Sequence, residues 1–187
     1  MNIKTLSLAI AATSLMAGTA VADYTGLSYD ATLNTGDVMA GTWTARIYAT
    51  FSGSTDQLNA VYGDGDNALL IEAVGGSFYQ NAFGAAVSTG INPALLPVFP
   101  SLAYDSWVTI GLQDQTGNAM LNIGIDFIDF EAGGAIWTDN GSWFATPDDA
   151  QVYEVGGQVL IGQFTVAGDD GVFGTISLQG KNADNSN

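Results

Sequence analysis

The chain predicts an all-β fold, an antiparallel β-sandwich of jelly-roll type with about nine strands. Three observations carry this. Apolar and polar residues alternate with period two in stretch after stretch, which places one set on a buried face and the other on an outer face. Turn signals rich in Gly, Asp and Asn separate those stretches. Glycine is abundant, 24 of 187 residues, as tight turns and bulges require.

Taken in order, GLSYDATLN (26–34) sets Leu27, Tyr29, Ala31 and Leu33 on one side. TWTARIYATFS (42–52) sets Trp43, Ala45, Ile47, Ala49 and Phe51 against Thr42, Thr44, Arg46, Tyr48 and Thr50. Further strands are expected at 57–63, 67–75, 106–113, 119–130, 142–146, 157–168 and 171–180. Turns fall at 34–37, 63–66, 139–141 and 168–171, and Asp169-Asp170-Gly171 between two strong strands reads as a hairpin. Residues 81–100 hold Pro93, Pro97 and Pro100 and read as a long crossover loop with a helical turn.

The first 22 residues have the form of a secretory leader. Lys4 precedes an apolar run from Leu6 to Met16, and Ala20-Val21-Ala22 supplies a cleavage site. The run is too short for a bilayer span, which needs roughly 20 residues. The expected organisation is a leader at 1–22, one β-sandwich domain at 23–180 and a polar tail at 181–187. A leader this short on a cysteine-free chain fits a bacterial protein, secreted or held at the cell surface. No later stretch predicts a membrane span.

Charge is the strongest compositional signal. The net charge of −16 becomes −17 once Lys4 leaves, and 16 of the 19 acids are Asp. Nothing is present to neutralise phosphates, so nucleic acid and anionic membranes are excluded as partners. The absence of His and Cys removes serine triads, cysteine nucleophiles and the usual zinc cages. A carboxylate pair for glycoside hydrolysis is the surviving enzymatic route. Asp126, Asp129 and Glu131 are close in sequence, but Asp126 and Asp129 face opposite sides of a straight strand. The catalytic assignment is therefore none.

Two binding sites are candidates. Asp64, Asp66 and Asn67 in a glycine-rich turn, with Asp169 and Asp170 from another loop, offer the oxygen ligands that Ca2+ takes. The same residues also suit plain β-turns. In TDNGSWFATPDD (138–149), Trp143 and Phe144 point to opposite faces. Trp137 and Trp143 beside Asp139 and Asn140 are the residue types that stack on sugar rings and bond their hydroxyls. A hairpin tip, with both tryptophans filling the core or covering the sandwich end, is the first reading of this stretch, and calcium or sugar binding the second.

YDSWVTIGL, IGIDF, TDNGSWFATPDDAQ and GQVLIGQFTVAGDDGVFGTISLQGKN together resemble secreted bacterial ectodomains of PEP-CTERM and cohesin-like type. The resemblance implies a nine-stranded sandwich working at the cell surface or in extracellular matrix, its last two strands forming the closing hairpin. A C-terminal apolar sorting helix is not found in this sequence. The expected function is a non-enzymatic structural or adhesive module, calcium-stabilised, its partners being other copies through strand addition at sheet edges or other surface proteins. A carbohydrate-binding module with polysaccharide as partner is the alternative, and a glycoside-active enzyme the third.

Overall fold

A computed structural model describes residues 24–53 and 55–181 in full and the backbone of 9–12. The remainder of the expected leader and the tail from 182 onward lie outside the described residues, with Asp184 among them. The strands are β1 (Ala9–Ala12), β2 (Tyr24–Leu33), β3 (Thr42–Phe51), β4 (Gln57–Gly63), β5 (Leu69–Val74), β6 (Trp107–Val108) and β7 (Leu121–Ile123). One turn of helix, α1 (Ile128–Glu131), precedes β8 (Ile136–Thr138), β9 (Gly141–Phe144), β10 (Gln158–Ala167) and β11 (Gly171–Lys181). The protein is a two-sheet, antiparallel β-sandwich, as its alternation predicts.

One sheet runs β2-β3-β10-β6. Its central pair is long: Thr42 to Thr50 of β3 face Ala167 to Gln158 of β10. Ala45, Ile47, Ala49 and Phe51 turn inward and are buried, because period two commits every second side chain to the core.

The other sheet is built from interrupted strands. β11 pairs with β5 over Gly171–Thr175 and with β4 over Ser177–Lys181. Gly63 closes so tightly on Leu69 that a Cβ would strike its amide nitrogen. β4 and β5 therefore run in line along one edge of β11, with 64–68 looped out. The next row repeats the device: β8 pairs with β5 and β9 with β4, with Asp139-Asn140 looped out between them. β7 pairs with the far side of β9. β11 is thus the edge row on its side, and its second edge carries only β1, parallel, over Phe173–Ile176.

Between the sheets lies one main core. Phe78, Phe130 and Phe164 meet ring to ring, with centroids 5.3 Å apart for Phe78–Phe164 and 5.4 Å for Phe78–Phe130. Trp143 is fully enclosed and donates its indole N–H to the Thr109 carbonyl at 3.0 Å. Burying one such aromatic contributes about 1.5–3 kcal/mol.

Four local expectations are corrected. Residues 106–113 keep only Trp107–Val108 as strand, because Gly111 turns at φ 76° against the Gln151 carbonyl. Residues 119–130 keep only Leu121–Ile123. Gly124 turns at φ 70°, and the Asp126 carboxylate accepts the Ile128 N–H at 3.0 Å, opening α1. Asp169-Asp170-Gly171 is no hairpin, since β10 and β11 belong to different sheets and the turn carries the chain across the sandwich. The closing hairpin implied by the cohesin-like resemblance is therefore not formed. Asp139-Asn140 is likewise a kink within one row and not a hairpin tip.

Candidate functional site

The long segment 81–105 is the part of the chain that shapes a surface. Its prolines start two 3-10 turns, Pro93–Leu95 and Pro100–Tyr104, after a first at Ser88–Gly90. A proline at the first position lacks only an N–H that would go unused there. The segment lies on the outer face of the β3-β10-β6 sheet. There Ile91, Leu102, Trp107 and Leu160 form a second apolar cluster, with Tyr48 and Phe99 against it.

A buried acid clasps this segment. Asp105 is 0 % exposed, and its two oxygens accept the Asn81 N–H at 2.7 Å and the Ala85 N–H at 3.1 Å. Gly84 passes so close that a Cβ would run into the carboxylate. Burial pushes the Asp105 pKa up to about 6, with the backbone N–H groups holding it back and Glu131 adding a little. Gln163 on β10 anchors the same segment, donating to the carbonyls of Ala103 at 3.1 Å and Asp105 at 2.8 Å.

Where the segment stops, a groove of about 470 Å³ opens on the outer sheet face. Its wall on one side is Tyr104. Its floor comes from the outward residues of β2, β3 and β10: Asp30, Asn34, Arg46, Tyr48 and Gln163. Asp30 and Arg46 are register partners, and so are Arg46 and Gln163. Arg46 donates its Nε–H to Gln163 at 3.0 Å, which fixes one end of the guanidinium beside the groove. Burial raises the Tyr48 phenol above its ordinary 10.0, Arg46 lowers it and also hydrogen-bonds it, and Asp30 raises it. Asn34 is tied down by the hydroxyls of Thr42 and Thr44, both at 2.9 Å. The result is a preorganised row of polar groups beside two tyrosines, the composition that suits a hydroxyl-rich ligand.

A second groove of about 410 Å³ lies on the other sheet, with Asn59, Phe144, Pro147 and Lys181 in its lining. Lys181 reaches Asp148 at 3.8 Å there. The Gln57 side chain, ahead of Lys181, holds the exposed Asp148 carboxyl below its usual range. The two cations expected in the exported chain each border one groove.

The residues expected to bind calcium are not brought together. Asp64 spends one oxygen on its own turn, accepting the Asp66 N–H at 3.0 Å and the Asn67 N–H at 2.8 Å. Asp169 and Asp170 sit at the far end of β5, where Asp170 leans on Gly75 and Gly76. The strand between the two turns spans roughly 17–20 Å. Among the described residues no three acids gather as a metal would require.

The expected sugar platform is also divided. Trp137 is 57 % exposed on β8, with Asp139 and Asn140 exposed beside it. Trp143 is 0 % exposed on the inner face of the same row, so its ring has no surface to offer. Asp126 is engaged at the start of α1, and Asp129 and Glu131 stand exposed on that turn.

The sequence reading placed Arg46 and Tyr48 on the polar face of β3 but did not single them out. The signal was there: Arg46 is one of two cations left after the leader. Tyr104 and Asp105 follow a proline-rich stretch whose path no local pattern sets.

Comparison with protein-family models, with curated proteins and with solved structures finds no match to this chain. The class of protein is thus defined by its own architecture, a two-sheet antiparallel sandwich with a polar groove on one outer face.

Proposed function

We propose that the chain is an exported, non-enzymatic sandwich module of the cell surface or extracellular matrix that adheres to carbohydrate through its outer sheet face. The observation that carries this is the groove in which Tyr48 and Tyr104 flank Arg46, Asp30 and Asn34. Tyrosine rings stack on sugar rings, and a fixed guanidinium beside a carboxylate bonds neighbouring hydroxyls. The strongly negative chain favours uncharged glycans, since polyanions are repelled before they dock. The leader-like start supports export, and the resemblance to secreted ectodomains points to the same place.

The test is affinity gel electrophoresis in soluble, uncharged polysaccharides of glucose, mannose and xylose. One of these should retard the protein. Tyr104→Ala and Arg46→Ala should each weaken that retardation at least tenfold, while Trp137→Ala leaves it unchanged. Equal migration in every gel removes the carbohydrate reading. Loss on Trp137→Ala alone moves the site to β8.

A further inference from the structure

β11 is an edge strand on its side of the sandwich, and its second edge is taken in this structure by Ala9–Ala12, paired in parallel with Phe173–Ile176. The backbone of β1 also approaches β2, the edge of the other sheet. A strand from the expected leader thus closes one side of the sandwich. Resting on the export reading above, we propose that removal of the leader opens this edge, and that a second copy of the chain fills it by antiparallel pairing of β11 with β11.

Four features point to a second copy. The edge already accepts a strand here, so its backbone geometry is competent for pairing. β11 reads GVFGTISLQGK and holds no acid, in a chain where acids number 19. It is therefore the strip along which two highly negative chains can approach. The edge also lacks the usual guards, having no proline and no charge before Lys181. Lastly, a twofold axis makes one edge its own partner. Val172, Gly174 and Ile176 face the core while Phe173 and Thr175 stand outward and half-buried. Matching inner to inner across the axis requires residues of the same parity to face each other. The register that sets Thr175 against Thr175 satisfies this, and it sets Lys181 of each copy against Asp169 of the other. The two outer sheets then join into one continuous sheet across the axis.

The experiment is sedimentation equilibrium on protein recovered after export, with its N-terminus read by mass spectrometry. The expected result is a chain beginning at Asp23 that sediments as a dimer. Thr175→Lys places two like charges face to face at the axis and should yield a monomer with unchanged circular dichroism and a lower Tm that no longer depends on protein concentration. Thr175→Val, which keeps a β-branched residue there, should remain dimeric. A chain that begins at Asp23 and stays monomeric at hundreds of micromolar overturns the proposal, as does a Thr175→Lys variant that still dimerises. A chain that keeps residues 9–12 after export overturns the proposal and the leader reading with it, and the mass separates that case from the others. Polysaccharide binding is read independently, because the groove lies on the other sheet.

Discussion

Asp105 shows how one side chain sets the behaviour of a long segment. Its carboxylate is fully enclosed and receives two N–H groups from the loop it holds. Because burial raises its pKa from 3.8 to about 6, the folded state binds its proton more tightly than the unfolded chain does. Its contribution is therefore complete below pH 3.8 and is lost as pH rises through about 6. The change amounts to up to ~3 kcal/mol. Chemical denaturation between pH 4 and 7 should show stability falling across this window, and Asp105→Asn should flatten that slope while lowering stability overall, since an amide offers one acceptor oxygen for two donors. Trp143 is the opposite kind of residue, apolar, enclosed and satisfied by a single carbonyl. Trp143→Ala should cost about 3–5 kcal/mol in the same measurement. Enclosure of Trp143 was legible only as one of two options, because adjacent strand residues point oppositely and nothing local says which side is the core.

At the scale of elements, interruption is the theme of the second sheet. β4 and β5 serve as one strand only because Gly63 lets Leu69 and the Thr138 carbonyl come close. Gly63→Ala should cost about 1–3 kcal/mol through that collision, seen as a drop in the urea midpoint. The looped-out residues 64–68 use Asp64 to close their own turn, and their separation from Asp170 leaves each acidic turn on its own. Calcium and magnesium at matched ionic strength should therefore shift the thermal midpoint equally, and EDTA should not lower it. A calcium-specific rise of many degrees would show ligands converging by a route these turns do not provide. The long strands β2 and β3 were readable because nine or more residues hold a strict period, and β10 and β11 because long apolar runs are bounded by glycine-rich turns. Of the short ones, β6 was expected but too long, and β8 was not read at all, since two or three residues paired by tertiary contact carry no periodic signal.

For the molecule as a whole, charge opposes compaction. Sixteen net negative charges on a chain of 187 residues repel one another, and added salt screens that repulsion over distances of about 8–10 Å. The thermal midpoint should rise as sodium chloride goes from 10 to 500 mM, most steeply at the low end; a flat response would mean the acids are already paired or well spread. Packing supplies the counterweight, in a core that draws residues from both sheets without a disulfide. The groove and the open edge are both properties of this assembled whole. The groove needs the loop's end at Tyr104 to stand beside three strands, and the edge exists because β4 and β5 share one side of β11.

The sequence by itself determined the class of fold, the buried face of β3 and the exclusion of histidine and cysteine chemistry, because alternation and composition are local properties of the chain; on β2, Tyr29 and Leu33 of the expected apolar side stand exposed. Tertiary structure decided which turns are hairpins and which cross between sheets, that Asp64 and Asp170 stand apart, and that Arg46, Tyr48 and Tyr104 meet. Those outcomes depend on which strands become neighbours, and hydrogen bonding between backbones is indifferent to distance along the chain.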